Sequence, residues 1–232
     1  MSTQPQDAAI WGIVPAAGMS RRMGFPKQTA MMGGATMVGT VVGSMLDAGV
    51  AGVVVVTRSE LLSSLGLPRD KRIATAINDD ADSEMIDSVR IGLTTLGKPP
   101  RCTSIDEEEV TVGSRVQAHI RHTEGSGGLH RPAAPGDGIM VVPADMPGIT
   151  PNTYKTCIAA FRNGPNRIVI ATHNGKRGHP MVFPYSMRTE LGGLSGGLRE
   201  LPERYGEQVD YVDTADPGTL KDLDTPIDFD AF

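Results

Sequence analysis

The sequence predicts an α/β protein with a Rossmann-like, three-layer α/β/α fold and a mostly parallel sheet. Three observations carry this. Runs such as Gly52–Thr57 (GVVVVT) and Ile139–Val142 (IMVV) are apolar throughout, as strands covered on both faces of a parallel sheet must be. Between such runs lie segments whose apolar residues recur at helical spacing, for example Val38, Val41, Val42, Met45 and Leu46. Strand and helix then alternate along the chain, the pattern of a layered α/β sheet. A chain of 232 residues, 39% hydrophobic and 21% charged, can bury one large core without disulfides. Residues 1–232 therefore read as a single domain.

The elements follow in order. Ala8–Val14 is an apolar first strand. Gly33-Gly34 marks a turn, and Thr36 is the expected N-cap of a helix from Met37 to Ala48, closed by Gly49. After the strand Gly52–Thr57, Ser59 is placed to cap a short helix through Leu65. Arg72–Ile77 is a third strand, and Glu84–Leu96 a helix with Met85, Val89, Leu93 and Leu96 on one face. Residues 99–138 read as an insertion or flexible loop, long for a compact domain, with a hairpin possible over Val110–Arg121. Its His119, His122 and His130 have no carboxylate or cysteine companion in a usual ligand pattern. The strand Ile139–Val142 follows. Pro151 then starts a helix with Thr150 as cap, facing the core through Tyr154, Ile158 and Phe161. Arg167–Thr172 is a strand, Gly175 a turn, Met187–Leu201 a helix interrupted by glycines, and Gln208–Asp213 a strand.

The chemistry gathers where strands end. After the first strand comes Pro15-Ala16-Ala17-Gly18-Met19-Ser20-Arg21-Arg22-Met23-Gly24-Phe25-Pro26-Lys27. Small residues let backbone N–H groups approach an anion closely. The arginines and the lysine add charge and donors suited to phosphate. It is neither a P-loop, which ends Gly-Lys-Ser/Thr, nor the three-glycine dinucleotide fingerprint. The alternative is an ordinary basic surface loop. Asp145, in Pro143-Ala144-Asp145-Met146-Pro147, stands at the carboxyl end of a parallel strand, the ligand crevice of an open α/β sheet. A carboxylate opposite a phosphate cradle suits Mg²⁺, which takes one or two carboxylates plus phosphate oxygens.

Composition excludes other classes. The net charge is −5 and the pI near 5.5, which gives no global basic footprint for nucleic acid. Cys102 and Cys157 lack metal-ligand spacing and read as plain thiols. No signal peptide and no membrane-length apolar run are visible, so the expectation is a soluble cytoplasmic protein.

The stretch from Ala16 to Lys27 resembles the signature of the nucleotidyltransferases of the molybdenum-cofactor group: Ala-Ala-Gly, a Ser, an Arg-Met-Gly triplet and a Lys in that order. The chain is most similar to the cytidylyltransferases acting on molybdopterin, and the resemblance runs from about residue 10 to the end, apart from 99–138. It implies an NTP-transferase fold and Mg²⁺-dependent transfer of a CMP-type group from an NTP to a phosphorylated acceptor such as molybdopterin, releasing pyrophosphate. The nucleotide-binding residues it implies are Ala16, Ala17, Gly18, Met19, Ser20, Asn78, Ser88, Pro143 and Ala144. Arg22, Lys27 and Asp145 are implied as catalytic, and His179 and Pro180, in a Gly-His-Pro segment, as the acceptor side. The metal would sit on Asp145 and on one of Asp222 and Asp224 in the closing Asp-x-Asp-Thr-Pro element, with Asp222 favoured. Ala17 adds a methyl group where guanylyl-transferring relatives carry Gly, which favours CTP.

The partners implied are an NTP, a phosphorylated small molecule and a transfer partner among molybdoenzyme-maturation proteins. Two departures stand out: the family's glycine between Asn78 and Ser88 is absent, and Ser195 stands where an Asp is expected. They keep two alternatives open, a sugar-phosphate or other small-phosphate nucleotidyltransferase and a non-catalytic nucleotide-binding chaperone.

Overall fold

In the computed structural model, residues 8–18, 25–98, 108–112, 116–120, 129–224 and 228 are described. The elements are β1 (Ile10–Pro15), β2 (Met31–Met32), β3 (Ala35–Thr36), α1 (Met37–Asp47), β4 (Gly52–Thr57), β5 (Ile73–Ile77), α2 (Met85–Leu96), β6 (Glu108–Val112), β7 (Val116–Ile120), β8 (Gly138–Val141), α3 (Pro151–Asn163), β9 (Ile168–His173), β10 (Lys176–Pro184), α4 (Glu200–Arg204) and β11 (Val209–Asp213), with short 3-10 turns between them. Seven strands form one sheet in the order β11-β9-β10-β8-β1-β4-β5. β1 pairs in parallel with β4 and β8, β4 with β5, and β11 with β9. Only β10 runs against its neighbours.

Alternation along the strands splits the core between two faces. On one side Ile10, Val14, Val53, Val55, Met140, Val142 and Val169 pack with Val38, Val41, Met45 of α1 and Tyr154, Ile158, Phe161 of α3. On the other, Trp11, Ile13, Val54, Val56, Ile139, Val141 and Phe183 pack with Val89, Leu93 and Leu96 of α2 and with Leu191, Leu194 and Leu201. These are the three layers expected. Cys157 lies in the first face, and burial pushes its thiol up to about 12, which makes it an inert packing residue; Cys102 lies outside the described residues.

Caps follow the expectation at α1, where Thr36 Oγ1 accepts from Gly39 N at 3.0 Å. They differ at two other places. Thr150 does not cap α3 through its own side chain; Asp216, from the far end of the chain, accepts from Thr150 N, Thr150 Oγ1 and Thr153 Oγ1 at 2.9, 2.9 and 2.6 Å. At the turn over Ser59–Ser64 the cap is likewise remote, with Asp79 Oδ1 accepting from Ser59 N at 2.8 Å. The glycine-interrupted helix expected over 187–201 is instead a 3-10 run, Tyr185–Gly193, followed by the short α4. The glycine pairs there break the α ladder, and Arg90 of α2 holds the run by donating to the carbonyls of Leu191 and Leu194. The sequence also hides the length of β10, since Gly178-His179-Pro180 interrupts its apolar pattern.

Within 99–138, β6 and β7 form the expected hairpin as a separate two-stranded sheet. The segment entering β8 is anchored by the buried carboxylate of Asp137. It accepts from Ala9 N, Trp11 Nε1, Ala134 N and both terminal nitrogens of Arg131. These bonds hold Asp137 below the usual carboxylate range against the opposing effect of burial.

Candidate active site

β1 and β8 are adjacent and parallel, with Ile13 opposite Val141. From β1 the chain builds β4 and β5 on one side, and then crosses back to place β8 on the other. This is a topological switch point, where open α/β sheets bind ligands beyond the carboxyl ends of their strands. The segments leaving the two strands meet there: Ala144 N donates to Pro15 O at 3.2 Å. Ala16-Ala17-Gly18 and Pro143-Ala144-Asp145 thus come to face one space.

That space is a cavity of about 530 Å³ lined by Pro15, Ala17, Gly18, Lys27, Gln28, Asp80–Met85, Ser88 and Pro143–Asp145. Among the residues the sequence singled out, Ala17, Gly18, Lys27, Ser88, Pro143, Ala144 and Asp145 line it together. Ala16 is buried directly behind the wall. Met19, Ser20 and Arg22 lie outside the described residues. Asn78 is fully buried beneath the wall, with its Nδ2 donating to Ser88 Oγ at 3.0 Å and Ser83 Oγ at 3.1 Å. It orients two hydroxyl groups, and Ser88 presents one of them to the cavity.

Lys27 opens a single 3-10 turn, Lys27–Thr29. Its Nζ lies 2.8 Å from Asp145 Oδ2 and 2.5 Å from Asp224 Oδ1. Burial alone would lower the pKa of the ammonium, but the hydrogen bonds and charges of Asp145 and Asp224 outweigh it and raise it above the ordinary value. Lys27 is therefore charged at any physiological pH. Asp224 is brought there by a backbone bond, Leu223 N donating to Asp145 O at 2.9 Å.

Asp222 lies elsewhere. It lines a second cavity of about 330 Å³ with Arg177, Gly178, His179, Thr219 and Leu220, which shares Met85, Pro143 and Asp145 with the first. His179 therefore sits one carboxylate away from the Lys27 cluster. Burial lowers its imidazole pKa, and this outweighs its bond to the Val141 backbone and the charges of Asp145 and Asp222. Its Nδ1 is buried and has no hydrogen-bond partner among the described residues. Pro180 is buried behind it and does not line the cavity. Ser195, the departure at an expected Asp, lies in a third cavity on the other side of the Asp80–Glu84 loop, beside Arg90, Tyr185 and Arg188.

Sequence reasoning missed Gln28. It is 3% exposed, and its Nε2 donates to Gly18 O at 2.5 Å, tying the Lys27 turn to the end of the cradle. A polar residue beside Lys27 carries no periodic signal, so only the fold reveals the tie. It also missed the acidic wall of Asp80, Asp82 and Glu84, which reads in the sequence as a polar turn.

As for a metal, Asp145 and Asp224 converge on one cation. This all-oxygen pair suits a hard divalent ion that completes its shell with phosphate oxygens and water. Among the described residues no cluster of three or more His, Cys, Asp or Glu side chains is placed to hold a metal by itself. Nor is any helix among them long and apolar enough to cross a membrane.

Several solved structures share the fold. Rv0371c from Mycobacterium tuberculosis H37Rv superposes with a TM-score of 0.64 at 21% identity, covering 97% of each chain, and its manganese complex with 0.59 at 19% identity, again covering 97% of each. The nucleotidyl transferase Mth528 from Methanothermobacter thermautotroptrophicus gives 0.63 at 18%, covering 96% of this chain and 95% of that one. The 4-diphosphocytidyl-2C-methyl-D-erythritol synthase of Anaerococcus prevotii DSM 20548 gives 0.64 at 13%, covering 99% and 97%. No curated protein matches in sequence. A family model described as the MobA-like NTP transferase domain matches residues 12–209, which run from within β1 through the cradle, Lys27 and Asp145 to the start of β11, and the chain accordingly belongs to this nucleotidyltransferase family.

Proposed function

We propose that this nucleotidyltransferase moves a CMP-type group from CTP to a phosphorylated small molecule of the molybdopterin kind, releasing pyrophosphate. The observation that carries the reading is the convergence of the cradle, Lys27 and Asp145 on one cavity, with a second cavity opening at Asp145. A phosphate oxygen of the acceptor attacks the α-phosphorus in line and pyrophosphate leaves. The acceptor is already ionised, so no side chain need act as base, and positioning with charge stabilisation suffices.

The first cavity takes the nucleotide. Backbone N–H groups from Ala17 to Ser20 and the guanidinium of Arg22 bind the β,γ-phosphates, and Lys27 the α-phosphate as its charge grows. Ser88, oriented by Asn78, and Ala17 flank the base, where the methyl group of Ala17 favours a pyrimidine. The acceptor lies in the second cavity beside His179, whose depressed pKa keeps it neutral. Mg²⁺ on Asp145 and Asp224 would offset triphosphate charge as a Lewis acid. The manganese complex of Rv0371c agrees with a divalent ion in this fold.

A second reading, transfer to a smaller phosphate such as a sugar phosphate, draws support from the modest volume of the acceptor-side cavity, about 330 Å³, and from the diphosphocytidyl synthase sharing the fold. Pyrophosphate release from each of the four NTPs over a panel of phosphorylated acceptors tests both. The proposal expects release with CTP and a pterin phosphate. Release with CTP only when a small sugar phosphate is present selects the second reading. No release with any pair contradicts catalysis.

A further inference from the structure

The two carboxylates assigned to the metal hold a cation of the protein's own. The Lys27 ammonium touches Asp145 Oδ2 and Asp224 Oδ1 at once, on a side chain only 13% exposed, while the two carboxylates are 26% and 39% exposed. Two carboxylates this close repel each other, and the ammonium between them offsets that repulsion. A divalent ion needs lone pairs on the same carboxylates at about 2.0–2.1 Å. Metal entering alone stands as a dication against the ammonium already held on the same two carboxylates, and the two cations repel.

We propose that Lys27 is the resident counter-ion of the metal site, exchanged for the divalent ion only when a triphosphate offers the lysine a new partner. The inference rests on the reading of Asp145 and Asp224 as the metal carboxylates. The flexible four-carbon stem of lysine lets the ammonium move to a phosphate without the backbone moving. Metal and nucleotide then enter as one unit, and free metal does not occupy the site in advance. A substitution that removes the ammonium therefore has opposite effects on two properties: it weakens turnover and strengthens binding of free metal.

The test is Mn²⁺ binding without nucleotide, followed by electron paramagnetic resonance of the free ion. Wild-type protein, Lys27→Met, Lys27→Gln and the double variant Lys27→Met/Asp145→Asn are compared, with melting profiles to confirm folding. The proposal expects weak binding by wild type and at least about tenfold tighter binding by both single variants, with the gain lost in the double variant. Tight Mn²⁺ binding by nucleotide-free wild type overturns the exchange, whatever the variants do. So does wild-type affinity in both folded single variants; if Asp145→Asn then still removes Mn²⁺ binding in the presence of CTP, the metal carboxylate stands and only the exchange falls. A gain that survives in the double variant places the ion elsewhere and overturns the metal reading itself.

Discussion

Lys27 is the residue on which the account depends most. Its ammonium is fixed by two carboxylates at the mouth of the cradle, and it is the one cation among the described residues that line the first cavity. Lys27→Ala should lower kcat by about 100- to 1,000-fold, the usual cost of removing one donor aimed at developing charge. The circular dichroism spectrum should be unchanged, and retained turnover would sink the assignment. His179 is the second residue to test. Its folded pKa lies below the ordinary value of 6.5. As pH falls below that value the unfolded chain takes up a proton that the folded chain refuses, so stability drops with it. Urea melts at pH 7.5 and 5.5 should show this loss in wild type and a smaller loss in His179→Gln. An equal loss in both would mean that His179 is not responsible.

At the scale of elements, Gly178 and Asp137 show how remote parts of the chain set the site. β10 passes the turn over Pro217–Leu220 so closely that a Cβ at Gly178 would run into the Thr219 carbonyl, which is backbone and cannot turn aside. Gly178→Ala should push that turn away together with Asp222 and Asp224, costing about 1–3 kcal/mol of stability and more activity than that loss explains. Equal activity per folded molecule would contradict the link. Asp137 works at the opposite end of the sheet. Asp137→Ala leaves the indole N–H of the fully buried Trp11 without its acceptor and frees Arg131. A loss of about 2–4 kcal/mol is expected, read as a melting temperature lower by roughly 5–15 °C with the kinetics of the folded enzyme unaltered.

The same elements show what the sequence could reveal. The parallel strands and α1 to α3 were legible because apolar period and caps are local signals. The 185–204 region was not, because glycine pairs break a helical pattern whose shape is decided by Arg90, distant in sequence. Ser59 is not the cap of its turn and Thr150, the N-cap of α3 by position, makes no capping bond of its own, for the same reason: Asp79 and Asp216 arrive from other parts of the chain.

For the molecule as a whole, function follows from strand order. Placing β8 beside β1 puts Asp145 across from the cradle, and β10 and the chain end then bring His179, Asp222 and Asp224 around that point. The cradle and Asp145 could be found in the sequence because each follows an apolar strand. The sequence could not separate Asp222 from Asp224, since two acids on either side of one leucine look alike until a backbone bond from Leu223 to Asp145 decides which one reaches Lys27. Nor could it show Gln28 at work.

The central claim is that nucleotide and metal meet between the cradle and Asp145. A crystal structure with CTP and Mn²⁺, the ion located by its anomalous signal, tests this most directly. The account predicts the ion on Asp145 and Asp224, the triphosphate over Ala17 and Gly18, and Lys27 moved from the carboxylates to a phosphate. An ion on Asp222, or a nucleotide seated beside Arg90 and Arg188 in the third cavity, would contradict it.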